Sequence, residues 1–207
     1  MLLLQFFWWE TSYFATLDVQ KDRLGFYIGY GVIGWMPFAH NSAILYLAER
    51  PTDIPAWLAV SIVALGAAAV WVNYESDEMR LRVRKAFPKR LTIWGKPADV
   101  VLAKHTLSDG TERTSVLLAS GYNGISRHFH YVPELLIMLL AAVPCAFAAR
   151  VPTTLVPKVL AWLYFCYEFV LLVDRAGRID RMCADKYGRY WTAYMEKVPW
   201  KIIPFLY

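Results

Sequence analysis

The chain reads as an all-α polytopic membrane protein, a helical bundle with a cytosolic cofactor pocket. Its composition and the placement of its charges predict this. Of 207 residues, 57% are hydrophobic and 19% charged, and the mean hydropathy is +0.33. An ordinary soluble domain carries about 25% charged residues. Four segments, about 26–47, 54–72, 133–149 and 155–173, are long enough to span a bilayer, which takes about 20 apolar residues. Buried helices of a soluble protein are the competing explanation, but several nearly charge-free runs of this length rarely coexist in one soluble fold.

Each element follows from local signals. Phe26 to Leu47 and Ile54 to Val72 contain no Asp, Glu, Lys or Arg. Nothing breaks a helix from Ala56 to Ala86, and Pro88 ends it. At 1.5 Å per residue such a helix is about 46 Å long, more than a hydrocarbon core of about 30 Å. Its last turns therefore project Arg80 and Arg84 into the cytosol. Val100–Thr106 and Thr114–Leu118 are β-prone runs separated by Ser108-Asp109-Gly110-Thr111. Asp-Gly between such runs signals a small β-hairpin, and an irregular loop with a turn fits equally. Pro133 opens the third run in a favourable first-turn position. The fourth run carries Lys158 near one end and Glu168 inside. Asp174 to Lys186 should be helical, with a break at Gly188. Tyr187, Tyr190, Trp191 and Tyr194 recur at spacings of three and four, which suits core packing or a ligand box.

Basic residues cluster after the second and fourth runs. The positive-inside rule then places 10–25, 74–132 and 174–207 on the cytosolic side. The net charge of +5 reads as topology plus cofactor binding; the bases do not gather on a soluble domain, so nucleic acid is not an expected partner. No repeat or linker divides the chain, and 1–207 is read as a single membrane domain. The three cysteines form no disulfide framework or CxxC site. His128-x-His130 could bind a metal, but no carboxylate or cysteine near it forms a recognisable ligand set. The opening Met-Leu-Leu-Leu-Gln-Phe-Phe-Trp-Trp has no basic stretch and no cleavage site, and reads as the end of a helix that begins upstream.

The chemistry-bearing residues on the cytosolic side are Arg80, Arg127, His128, His130, Tyr131, Arg178, Lys186, Tyr187 and Tyr194. Arginine forks suit phosphate, and tyrosine can stack on or hydrogen-bond a nucleotide. The same residue types also serve as lipid-headgroup anchors. Within the apolar runs, His40 and Glu168 are ionisable and count as functional candidates.

The run from Leu117 to Glu134, LLASGYNGISRHFHYVPE, resembles the signature of the sterol reductases, most closely the Δ7 (7-dehydrocholesterol reductase) type. Trp94-Gly95-Lys96, Ser108-Asp109-Gly110, Asp174-Arg175-Ala176, Cys183-Ala184-Asp185-Lys186-Tyr187-Gly188-Arg189-Tyr190-Trp191 and Val198-Pro199-Trp200-Lys201-Ile202-Ile203-Pro204 are similar to further pieces of that family. So are Thr16-Leu17-Asp18-Val19, Asp22 to Tyr27 and Trp35-Met36-Pro37-Phe38, and His130 to Glu134 looks like the plant-type form. The resemblance covers the C-terminal half of such proteins.

It implies an endoplasmic-reticulum, multi-pass enzyme of sterol biosynthesis. NADPH would reduce a ring double bond of a sterol that arrives from the bilayer, with membrane lipids and a separate N-terminal half or other membrane subunits as further partners. By matching position, it implies cofactor contacts at Arg80, Leu118, His130, Tyr131, the run Cys183, Ala184, Asp185, Lys186 and Tyr187, and Tyr194; Arg127 and His128 lie in the same motif. The chain departs from the pattern at Tyr122-Asn123 (Trp-Trp), Ile179 (an acid), His40 (a tyrosine), Val32 (an acid) and Ser76 (a base in some members). Asp180, beside Ile179, and His40 are the expected proton donors. These departures leave two alternatives open: a catalytically degenerate membrane subunit, or a lipid-binding protein that keeps the fold. Isoprenylcysteine-type methyltransferases also resemble this half, but Phe129 stands where they have proline and their Glu-Glu pair is absent.

Overall fold

A computed structural model describes Trp8 and residues 29–50, 52–107, 109–147 and 155–207. Expectations for 10–25, for the start of the first apolar run, for Ser108 and for the connection at 150–154 lie outside these. The chain divides into two compact units, 1–71 with 134–170, and 72–133 with 171–207; the sequence reading treats 1–207 as one domain.

In the first unit the run expected as one span is interrupted. Gly31–His40 is π-helical, Asn41 makes a turn, and α1 follows at Ser42–Glu49. Pro37 lies inside the π-helical stretch and has no N–H to donate, so the ordinary ladder cannot run through it. Helix α2 spans Ala56–Ala86, the range its sequence predicts. Among the described residues it is the helix long and apolar enough to cross a membrane. Its first half leaves Trp57, Val60, Val63, Leu65 and Trp71 exposed. Exposed apolar surface on this scale is a liability in water and suits lipid.

Past α2, the chain contributes two more helices to this unit. Helix α4 (Tyr131–Ala142) passes into a 3-10 turn at Val143–Phe147, where Pro144 stops it. It starts two residues before Pro133 and, even with the turn, is shorter than a spanning helix. Ala43, Tyr46 and Cys145 form a small core with Leu47 and Trp162 against it. Thr52 Oγ1 donates to the Phe147 carbonyl at 3.1 Å. The Trp35 ring lies 4.6 Å from Tyr167 and the His40 ring 4.7 Å from Tyr164.

The second unit begins with the polar half of α2. After the cis Phe87-Pro88 bond, β1 (Thr92–Ile93) and β2 (Lys96–Pro97) pair across Trp94 and Gly95, both with positive φ. Strands β3 (Val100–Thr106) and β4 (Glu112–Leu118) form an antiparallel hairpin from Val100↔Leu118 to Thr106↔Glu112. Gly110 has φ +83°, and Asp109 Oδ1 accepts from the Thr111 amide at 2.9 Å, the local bonding that makes Asp-Gly a turn signal. A short helix, α3 (Tyr122–Ile125), precedes α4. Helix α5 (Leu155–Tyr187) runs unbroken through the fourth apolar run and the charged segment after it. Gly188, at φ +51°, separates it from α6 (Arg189–Lys197).

Trp191 and Tyr194 on α6 bury against Ala103 and Leu117 of the hairpin, with Val198. A fully buried side chain of this kind contributes about 2 to 3 kcal/mol. A second core joins α2 to the hairpin through Met79, Val83, Ile93, Val116 and Leu118.

Candidate cofactor site

The candidate site grows from the segment between β4 and α4. Gly121 turns the chain at φ +60°, a conformation that side chains rarely adopt. After α3 the backbone extends at Ser126 and runs beside the C-terminal segment. The Arg127 amide donates to the Trp200 carbonyl at 2.9 Å, and the His128 amide to Lys201 at 2.8 Å. Ser126 Oγ donates to the Ile202 carbonyl at 2.7 Å.

Arg127 is 6% exposed, and its fork is occupied. Nε and Nη2 donate to the two carboxylate oxygens of Asp180 at 3.2 and 2.8 Å. Nη1 donates to the carbonyls of Val198 and Pro199 at 2.7 and 2.8 Å. Bidentate pairing of this kind is the strong form of charge-assisted bonding. Breaking such a buried pair costs about 3 to 5 kcal/mol, because the remaining charge loses its partner. Arg127 is therefore already committed within the protein, which argues against the phosphate contact its motif suggested.

Asp180 also lies 3.5 Å from His128 Nε2 and 3.8 Å from Lys201 Nζ. Burial works against its ionisation, but the contacts from His128 and Arg127 and their charges outweigh burial and bring Asp180 down to about 2. Near neutral pH it carries no proton to give, which weakens its expected role as an acid. Burial is the main reason His128 is pushed below the ordinary histidine value; Asp180 opposes the shift.

Three aromatic rings gather at the start of α4. His128 stacks on Tyr131 with centroids 5.4 Å apart and planes 10° apart, and His130 lies 4.3 Å from Tyr131. Asn73 on α2 donates to the His130 carbonyl at 3.0 Å. Burial pushes His130 well below the usual histidine value, and the charges of Arg80, His128 and Arg175 push the same way. Among the described residues its buried Nδ1 has no hydrogen-bond partner. Arg80 pairs with Asp77 at 2.7 Å. Burial raises Asp77, against the pull of Arg80 and Arg84.

The other expected contacts fall into two groups. Tyr194 donates its hydroxyl to the Leu118 carbonyl at 3.0 Å, so these two residues are joined as core. Burial pushes the Tyr194 phenol up to about 12, with Arg127, Arg80 and Arg84 opposing. In the run at the end of α5, Cys183 and Tyr187 pack against the hairpin core. Tyr187 meets His105 edge-on at 5.2 Å, and Lys186 Nζ lies 5.0 Å from the Tyr187 ring. Ala184 and Asp185 are exposed. His40 belongs to the first unit, and the other expected site residues belong to the second.

Sequence reasoning passed over Asn73, Asp77, Arg84 and Arg175 as site residues. Asn73, Asp77, Arg80 and Arg84 recur at spacings of four, three and four, one face of α2. That periodicity was the available signal. Among the described residues no cluster of His, Cys, Asp and Glu forms a metal set.

The chain matches the model of the "Ergosterol biosynthesis ERG4/ERG24 family" over residues 2–207. It is 39% identical over 203 residues to a 7-dehydrocholesterol reductase of Arabidopsis thaliana, covering 98% of this chain and 45% of that protein. It is 32% identical over 205 residues to a Delta(14)-sterol reductase of Methylotuvimicrobium alcaliphilum, covering 99% and 44%. Identity to a 7-dehydrocholesterol reductase of Xenopus laevis is 29% over 205 residues, covering 99% and 41%. The chain thus spans under half the length of each of these three relatives. A family match over residues 2–207 makes this protein a member of the ERG4/ERG24 sterol reductase family.

Proposed function

We propose that the chain carries the cofactor side of an NADPH-dependent reductase of a sterol ring double bond, working in the endoplasmic-reticulum membrane with its polar face in the cytosol. One observation carries the reading: His128 stacks on Tyr131 with His130 tilted against it, and the charge of Arg80, on the polar half of α2, reaches His130. The buried Nδ1 of His130, without a partner among the described residues, suits a ligand that brings its own hydrogen-bonding groups, and the cations around it suit an anionic one.

When bound, NADPH supplies hydride to the carbon beside the protonated alkene carbon. The residues of this chain hold and orient. Arg80 and Lys186 bind phosphate, Tyr131 packs against the cofactor, and neutral His130 hydrogen-bonds to it. Arg80 is shared with Asp77, and a phosphate would take over that pairing. Asp180 is already ionised near neutral pH, so this reading does not make it the proton donor. A Δ7-sterol is the preferred substrate, on the higher identity to the Arabidopsis protein than to the Delta(14)-sterol reductase.

Titrating the full chain in nanodiscs with NADPH tests this. Saturable binding that weakens about tenfold in Arg80→Ala, the loss of roughly one charge-assisted contact, is expected. No saturable binding to the wild type would sink the reading. A membrane subunit that keeps the fold without catalysis is the second reading. It is favoured by Asn123, buried with an unpartnered Oδ1 where the family pattern has tryptophan. NADPH binding without turnover of a Δ7-sterol would support it.

A further inference from the structure

Five consecutive carbonyls, Val198 to Ile202, each accept a hydrogen bond from the triplet Ser126, Arg127 and His128. The arginine side chain takes the first two, the Arg127 and His128 amides the next two, and the serine hydroxyl the last. Asp180 balances the arginine and touches His128, whose ring lies flat on Tyr131. Downstream, the amides of Lys201 and Ile202 both donate to the Tyr207 oxygen, so the segment closes on itself. This is a dense arrangement for a stretch with no helix or strand after Lys197.

We infer that Arg127 and Asp180 are positioning residues, which clamp the 198–202 segment onto the motif and thereby hold the His128 ring against Tyr131. The inference deepens the proposed function, because Tyr131 is the residue that reading sets against the cofactor. It also makes the C-terminal segment a wall of the site. The clamp acts through geometry: a guanidinium fork matches a carboxylate on one side and two carbonyls on the other, which an ammonium cannot do.

The test uses the full chain in nanodiscs, with 3-fluorotyrosine at position 131 read by fluorine NMR and NADPH affinity read by titration. Asp180→Asn and Arg127→Lys are each expected to shift the Tyr131 resonance and weaken NADPH about tenfold, a loss of one good contact. His128→Ala, which removes the ring over Tyr131, should match Asp180→Asn. Asp180→Glu, the conservative variant, should recover part of the affinity. Arg80→Ala should weaken NADPH and leave the Tyr131 resonance in place, separating a cofactor contact from a positioning residue. Ser126→Ala removes one bond of the five, so it tolerates folding best and should move the resonance in the same direction by less.

A Tyr131 resonance unmoved in Ser126→Ala and in every folded clamp variant would overturn the inference. A variant that melts at lower temperature yet binds NADPH normally when folded would do the same, since that is a structural role alone. Absence of NADPH binding in the wild type would remove the proposed function, while the resonance shifts would still decide the clamp.

Discussion

Helix α2 runs through both units and changes character between them. From Ala56 to Trp71 it has no ionisable side chain, and its largest apolar residues face outward. From Asn73 to Lys85 it carries seven charged residues, and three ion pairs tie them together: Arg80–Asp77 and Arg82–Glu75 at 2.7 Å, and Arg82–Glu78 at 3.5 Å. One helix with one backbone ladder is therefore suited to two solvents. The apolar half gains little from its own unit's small core and needs a medium that accepts exposed Trp, Val and Leu. The polar half belongs to a unit with a hairpin, two cores and a buried ion pair, where position is set by specific partners. Non-directional burial can hold a helix in lipid, whereas a cofactor site needs directional bonds.

The contrast is broken most strongly by moving charge across it. Leu65→Lys, in the exposed apolar half, should cost about 3 kcal/mol of insertion free energy, whereas Arg82→Lys should cost under about 0.5 kcal/mol. A membrane-insertion assay on both variants decides it: equal, small effects would mean that the apolar half does not sit in lipid.

Gly121→Ala comes next. A methyl group there would run into Met79 and press on Ile93, at a positive φ that side chains avoid. We expect a loss of about 2 to 3 kcal/mol, confined to the second unit and measurable by hydrogen exchange of the hairpin amides.

Acid should separate the units as well. Asp180 is held near 2 against an ordinary 3.8, so it contributes about 2 kcal/mol above pH 5, and that stability disappears as pH falls towards 2. His128 and His130 act in the same sense. Their folded forms are held neutral, so below about 6.5 the unfolded chain binds protons more readily and stability drops. Denaturant midpoints at pH 7, 5 and 3 should fall stepwise, and Asp180→Asn should flatten the lower step.

Tyr194→Phe should cost less than the core changes above, about 1 kcal/mol, by leaving the Leu118 carbonyl without its hydroxyl donor. It should lower the melting temperature without moving NADPH affinity. A large loss of affinity would mean that this phenol faces the ligand after all.

The sequence was most legible where the signals are local. The bounds of α2 follow from an absence of breakers and from Pro88. Asp109-Gly110 marks the hairpin turn, although β4 begins two residues before the expected Thr114. Gly188 breaks the helix where its type suggests. Apolar runs were less informative about helical form, because hydropathy does not register what Pro37 and Pro144 do to a ladder. The result is a π-helical stretch in one place and a 3-10 turn in the other. The aromatic stripe at Tyr187, Trp191 and Tyr194 had two possible readings, and its packing on Ala103 and Leu117 makes it core.

Read alone, the sequence determined the family, the long helix α2 and the gathering of cations and rings around the motif from Arg127 to Tyr131. Motifs and breakers act over a few residues, so they survive without coordinates. Only the tertiary structure decided which partners each cation meets. Arg127 meets Asp180 53 positions away and the Val198 carbonyl 71 away, and once those partners arrive its fork is full. Arg80, still partly exposed, pairs with Asp77 on its own helix. Both residues are arginines in recognised positions; desolvation and competition for hydrogen bonds, which depend on what the fold brings near, set them apart.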